Sequence, residues 1–263
     1  MRKLTKLSRY YRARAKPSSA LPFFWHIGRP NFGDDINPAF FGMLADRQVR
    51  FEKHRDRPHF LGMGSILDRA TPHSTVLGSG YIQPPSSDAC RPGNVIAVRG
   101  ELTRSFLKTE HPVLLGDPMV LIDRFHSAAE RSNDTVGFVP HLSQTRAAKK
   151  LALTGVKIID PAWPPMRVIS EIAQCKRVFS QSLHGLIVAD ALRVPSLWVA
   201  PSSAMKGAEF KFLDYFSTLD AAKSAWPFTR ETFETAPEHE FDAAQYRFDK
   251  AEYFEAMRDA LCR

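Results

Sequence analysis

The sequence predicts an α/β protein of two consecutive parallel-stranded domains facing a cleft, and three observations support that fold. Short apolar runs alternate with helix-like segments along most of the chain, the pattern of parallel strands joined by crossover helices. The stretch His126–Asp134 (HSAAERSND) is polar and without apolar period, and a second alternating series begins behind it. The 263 residues suit two domains at roughly 100–200 residues each. Ligands of such sheets bind beyond the carboxyl ends of the strands, so strand-to-helix junctions are where function is sought.

Taken in chain order, residues 1–19 form a basic tail ending in the break Pro17-Ser18-Ser19. A first α/β domain follows over 20–130, with strands predicted at Pro22–Ile27, Phe60–Gly62, Ser74–Leu77, Asn94–Val98 and Val113–Leu115. Its helices fit Pro38–Arg47 and Glu101–Lys108, the acid of the latter favouring the positive end of the helix dipole. A second domain over 131–235 carries strands at Thr135–Val139, Val156–Ile159, Arg177–Phe179 and Ser196–Ala200. Helices near Gln144–Leu153, Pro165–Gln174 and Leu183–Leu192 separate them. The remainder, 236–263, contains a helix-like segment over Ala243–Leu261 expected to pack back on the body.

Charge and cysteine usage exclude several classes. The formal charge is +8, yet Arg2, Lys3, Lys6, Arg9, Arg12, Arg14 and Lys16 carry seven of those charges with no acid among them. The body is therefore near neutral, which argues against nucleic acid as a partner. Within the tail Leu4, Leu7 and Tyr11 share one helical face, which suits either an anionic membrane surface or a solvated terminus. Cys90, Cys175 and Cys262 are far apart and in odd number, so neither a disulfide framework nor a zinc site is expected, and no metal. No apolar stretch reaches the length of a membrane span, and no secretory signal is recognised, which points to a cytoplasmic protein, with the tail a candidate for peripheral attachment at the inner membrane face.

Three junctions can carry chemistry. In Arg177-Val-Phe-Ser-Gln-Ser-Leu-His-Gly a strand runs into a helix that places His184 at its N-terminus, where free N–H groups and the dipole favour an anion. There Ser180 and Ser182 either cap the helix or add hydroxyl donors, and the imidazole is expected to titrate near neutral pH. In Asn31-Phe-Gly-Asp-Asp-Ile-Asn-Pro, Gly33 permits a tight turn while Asn31 and Asp34 cap a helix or bind sugar hydroxyls. In Val98-Arg-Gly-Glu, Arg99 offers a planar fork either to an anion or to an interdomain salt bridge. Leu115-Gly-Asp-Pro adds Asp117, and MKGAEFKFLDYF adds Lys206 and Lys211 as counter-charges for a phosphate. The GxG runs at Gly62 and Gly78 lack the third glycine of a dinucleotide fingerprint.

Taken together, NFGDDINP, VRGELT, LGDP, SQSLHGLIVADALRVP and KFLDYF resemble the polysaccharide pyruvyltransferase family, across roughly Asn31 to Phe216. Among its members the resemblance leans to ketal-pyruvate transferases of acidic exopolysaccharides such as succinoglycan. The resemblance implies a GT-B-like fold, with two Rossmann-like domains facing a cleft, and phosphoenolpyruvate as co-substrate without any cofactor. It implies transfer of pyruvate to a sugar of a bacterial surface polysaccharide or its lipid-linked oligosaccharide precursor, closing a ketal and releasing phosphate. Residue by residue, the family histidine falls on His184, as general acid/base, and its donor-binding arginine on Arg99. Ser182 stands where some relatives carry an arginine, so Lys206, Lys211 and the helix N-terminus with Leu183 share neutralisation of the donor. Asn31, Asp34 and Asp117 are left to orient acceptor hydroxyls. The competing expectations are a GT-B nucleotide-sugar glycosyltransferase and a non-catalytic membrane- or RNA-binding module using the tail.

Overall fold

The computed structural model describes residues 2–86, 91–109, 111–126, 134–202, 205, 207 and 209–262, with the backbone alone for 2–7. Two parallel sheets organise them. The first has six strands, β1 (Leu21–Phe24), β2 (Val49–Phe51), β3 (His59–Leu61), β4 (Ser74–Leu77), β5 (Asn94–Val98) and β6 (Leu114–Leu115), in the order β2-β1-β3-β4-β5-β6. The second has four, β7 (Val136–Val139), β8 (Val156–Ile158), β9 (Arg177–Ser180) and β10 (Ser196–Trp198), in the order β10-β9-β7-β8. The polar stretch expected to divide the halves falls largely on 127–133, outside the described residues.

Each sheet reverses its direction of growth once, after β2 in the first and after β8 in the second. The crevice between β1 and β3, and that between β7 and β9, are thus the switch points where connections leave in opposite directions and side chains find room for a ligand. Strand β2 is the one the sequence did not announce: VRF is three residues long, lies at the sheet edge and has no alternation long enough to read.

The helices are α1 (Arg2–Arg14), α2 (Phe32–Asp35), α3 (Asn37–Ala45), α4 (Glu101–Arg104), α5 (Thr145–Lys150), α6 (Pro165–Ala173), α7 (Leu183–Ala191), α8 (Phe210–Phe216), α9 (Arg230–Thr235) and α10 (Lys250–Cys262). Helix α4 stops after one turn where the sequence suggested two. The last helix starts at Lys250 rather than Ala243, because Asp249 caps it: its carboxylate accepts the Ala251 and Glu252 N–H groups at 2.6 and 3.2 Å. It lies against the first half of the chain, with Tyr253 Oη donating to the Gly116 carbonyl at 2.7 Å.

One hydrophobic core runs through both halves. The 3-10 turn Pro118–Arg124 presents Met119, Val120, Leu121 and Ile122, all fully buried, to α7, which is itself apolar on every face from Leu186 to Ala189. A helix without a polar face must be covered all round, and α7 is covered by that turn, α6 and β10. The basic tail is a helix docked on the body: Tyr10 meets Phe51 edge-on at 5.5 Å, and Arg9 donates to the Gly28 carbonyl at 2.7 Å and pairs with Asp35.

Candidate functional site

The loops beyond both switch points close around a cavity of about 520 Å³. From the first sheet come Phe24 at the end of β1, His26, Asn31 and Asp34 after it, Arg55 after β2, Ser65, Ile66, Asp68 and Arg69 after β3, and Ile82 after β4. From the second come His141 and Leu142 after β7, Ser182 to His184 after β9, and Lys211 on α8. Every contributor thus lies at or beyond a strand's carboxyl end, which is why residues so distant in sequence converge.

The two walls are joined at the turn NFGDD. Phe32 donates its N–H to the Pro161 carbonyl at 2.8 Å and meets the His184 ring edge-on with centroids 6.3 Å apart. Gly33 sits directly on that ring: a Cβ there would come within 2.2 Å of His184 Nδ1. Asn31 donates its side-chain amide to Asp34 at 2.8 Å, and burial pushes the Asp34 carboxyl up against the opposing pull of His26 and Asn31.

His184 opens α7 behind the N-cap Ser182, whose hydroxyl accepts the Gly185 N–H at 3.4 Å. The N–H groups of Leu183 and His184, in the first turn, have no intrahelical acceptor. Burial, with Arg99 and Lys211 nearby, pushes the imidazole down to about 3, so it is neutral at physiological pH rather than titrating near 7 as the sequence suggested. His141 is likewise held neutral, at about 4, by burial and by Lys211. Among the described residues Lys211 makes no hydrogen bond or ion pair, and burial followed by the Arg99 charge lowers it to about 8. It therefore keeps its proton at pH 7, an unpaired ammonium facing two neutral imidazoles.

Asn31, Asp34, Ser182, Leu183, His184 and Lys211 are thus brought to one cavity, whereas Lys206 lies outside the described residues. Three expected contacts are placed elsewhere. Arg99 is fully buried behind the cavity: Nε donates to Asp214 at 2.9 Å, Nη1 to Ser65 at 2.7 Å and Nη2 to the Tyr81 carbonyl, so the fork is spent on a salt bridge to the second half. Ser180 is buried beneath the helix start, its hydroxyl donating to the Ser182 carbonyl at 2.8 Å. Asp117 is buried under His184, with one oxygen accepting the Met119 N–H at 3.0 Å, and it does not line the cavity. His26, His141, Arg55 and Arg69 carried no local signal in the sequence; only the sheet order places them here.

Fold and site together define an α/β protein of two parallel sheets with a cavity at paired switch points, lined by the Lys211 ammonium and two neutral imidazoles. Residues 91–203, which hold β5 to β10 and α4 to α7, match the model of the polysaccharide pyruvyl transferase family. The chain is similar to the succinoglycan biosynthesis protein ExoV of Rhizobium meliloti, at 31% identity over 209 residues that make up 75% of this chain and 64% of that protein. It is also similar to the uncharacterized protein L143 of Acanthamoeba polyphaga mimivirus, at 29% identity over 72% of this chain and 71% of that one. No solved structure matches the chain. Among the described residues no group of three or more His, Cys, Asp or Glu side chains is arranged to hold a metal ion, and no helix is long and apolar enough to cross a membrane.

Proposed function

We propose that this chain transfers pyruvate from phosphoenolpyruvate to a sugar of a surface polysaccharide or its lipid-linked precursor, forming a pyruvate ketal and releasing phosphate. The observation that carries the reading is the Lys211 ammonium, without a hydrogen bond or ion pair among the described residues, on the same cavity as the start of α7. Together they offer a fixed positive site to a small dianion that also needs proton transfer at close range. Arg99 adds field from behind without touching the donor; its charge reaches both His184 and Lys211. Two parallel sheets whose switch points face one cavity support a GT-B-like arrangement.

In this reading the first acceptor hydroxyl adds across the enol double bond. Its oxygen bonds to C2 of phosphoenolpyruvate and a proton is delivered to the methylene C3, which becomes the methyl group. A second hydroxyl of the same hexose then displaces phosphate from C2, its proton leaving with the phosphate, and the ketal ring closes. Neutral His184 takes the attacking hydroxyl's proton and relays it, a role generally worth about 10²–10⁴-fold. Asn31 and Asp34, on the facing wall, orient the hydroxyls, and Phe24 with the Arg55 guanidinium 5.6 Å above its ring forms the outer wall on which a sugar can lie.

The exposed side of α1 supports contact with an anionic membrane surface: Tyr11 is 59% exposed and Arg12, Arg14 and Lys16 are exposed, while Arg9 and Tyr10 hold the helix to the body. Deleting residues 1–16 is expected to reduce binding to anionic vesicles and to leave turnover of a free oligosaccharide intact. The direct test of the donor is titration calorimetry with phosphoenolpyruvate. Binding that is lost in Lys211→Met and is not competed by sugar nucleotides supports the reading; preference for a sugar nucleotide overturns it.

A further inference from the structure

Two buried polar atoms in this molecule face each other without a hydrogen bond: His184 Nε2 and Asp117 Oδ2, 3.7 Å apart. Neither has another partner, although an unsatisfied buried carboxylate oxygen is costly. Asp117 is fully buried, and its other oxygen already caps the turn Pro118–Arg124 through the Met119 N–H. That structural task needs only one oxygen, and an asparagine would serve it as well. The Arg99 guanidinium, whose charge reaches Asp117, is committed to Asp214, Ser65 and Tyr81. What remains is an acid whose free oxygen points at one nitrogen of the imidazole on the cavity wall.

On the other side of the ring, Nδ1 lies against Gly33, the position in the NFGDD turn where any side chain would collide with it. Because Nε2 is sealed from solvent, the 12% of the His184 side chain that is exposed belongs to the rest of the ring. We propose that Asp117 is a positioning residue that holds His184 as the Nε2–H tautomer, so that Nδ1 carries the lone pair and is the atom that takes the acceptor's proton. When His184 accepts that proton at Nδ1, the carboxylate behind Nε2–H stabilises the imidazolium; the proton leaves again through Nδ1 toward the methylene, and Asp117 itself exchanges none. The 3.7 Å separation shortens to a hydrogen bond when the ring is charged, since resting-state contacts of this kind are often long. The role in proton transfer rests on the reading proposed above; the tautomer does not.

The test combines a kinetic and a spectroscopic arm on the full chain. Asp117→Asn keeps the cap but turns an N–H donor toward Nε2, which favours the opposite tautomer. In it kcat for acceptor-dependent phosphate release is expected to fall by about 10²-fold or more, with KM for phosphoenolpyruvate changed less than about threefold. Nitrogen-15 NMR of histidine-labelled protein, with the His184 signal identified by its loss in His184→Gln, is expected to show Nε2–H in the wild type and Nδ1–H in Asp117→Asn. Asp117→Ala, which removes cap and carboxylate together, is expected to lose stability as well as turnover. Wild-type His184 found as Nδ1–H, or a tautomer unchanged in Asp117→Asn, overturns the proposal whatever the substrate is. If the spectroscopic result holds and phosphoenolpyruvate is not turned over, the pairing stands and the reaction assigned to it falls.

Discussion

Two buried acid–base pairs lie close enough together that Arg99 and Asp214 both act on the Asp117 carboxyl, and they are built in opposite ways. Arg99 and Asp214 are both fully buried and fully engaged: the carboxylate takes Arg99 Nε at 2.9 Å, the Thr103 N–H at 2.7 Å and the Thr103 hydroxyl at 2.6 Å. Asp117 and His184 meet at 3.7 Å and leave both facing atoms unsatisfied. The first pair joins β5 and α4 to α8 and has nothing left over; the second has unused capacity on the wall of a cavity. Burial and opposite charge tendency are common to both. Completeness of hydrogen bonding is what separates the pair that holds the halves together from the pair that can act on a ligand.

The largest expected effect breaks the satisfied pair. Asp214→Ala leaves a buried guanidinium without its counter-charge and is expected to cost about 3–5 kcal/mol in denaturant unfolding, losing activity only because the fold fails. His184→Gln is the converse: unfolding changes little, whereas acceptor-dependent phosphate release falls by about 10²–10⁴-fold. Equal stability losses in the two variants would erase the distinction.

Two glycines sharpen it further. A Cβ at Gly100 would lie 1.7 Å from the Asp214 carbonyl oxygen, a backbone atom that cannot step aside, so Gly100→Ala is expected to prevent stable folding. A Cβ at Gly33 meets a side chain, His184, at 2.2 Å. Gly33→Ala is expected to cost about 1–3 kcal/mol in stability and to lower kcat well beyond what that loss explains, because the ring is pushed off its position.

A smaller effect is read from pH. Lys211, lowered to about 8 from an ordinary lysine value, loses its charge as pH rises through that value, so donor affinity should weaken above about pH 8. Lys211→Met should bind weakly at all pH values, with that limb of the profile gone. The smallest concerns the tail: Arg9 and Asp35 form a partly exposed pair, and Arg9→Ala is expected to change stability by about 1 kcal/mol or less.

Much of this was legible in residues, and the failures share one cause. His184 at a helix start and the turn NFGDD could be placed beyond strand ends because strand, cap and helix are local events. Arg99 was just as well placed along the chain, yet a strand end does not tell which way a side chain turns. Its direction is decided by Asp214, 115 residues away, and by Ser65 and Tyr81. Asp117 misled for the same reason, since the Gly116-Asp117 junction lies under α7 rather than beside the cavity. His26 and His141 gave no local signal at all: they join the site because β1 and β7 each sit at a switch point, a property of strand order that no window of sequence contains.

Pyruvyl transfer from phosphoenolpyruvate is the task proposed for the Lys211 ammonium and the neutral imidazole of this cavity. It is tested most directly by following phosphate release from phosphoenolpyruvate, with mass analysis of the acceptor, across free and lipid-linked oligosaccharides. Acceptor-dependent release with one ketal formed per phosphate is expected in the wild type, and both products are expected to fall by about 10²–10⁴-fold in His184→Gln. Release that is indifferent to acceptor and to His184, or consumption of a sugar nucleotide in place of phosphoenolpyruvate, would contradict it.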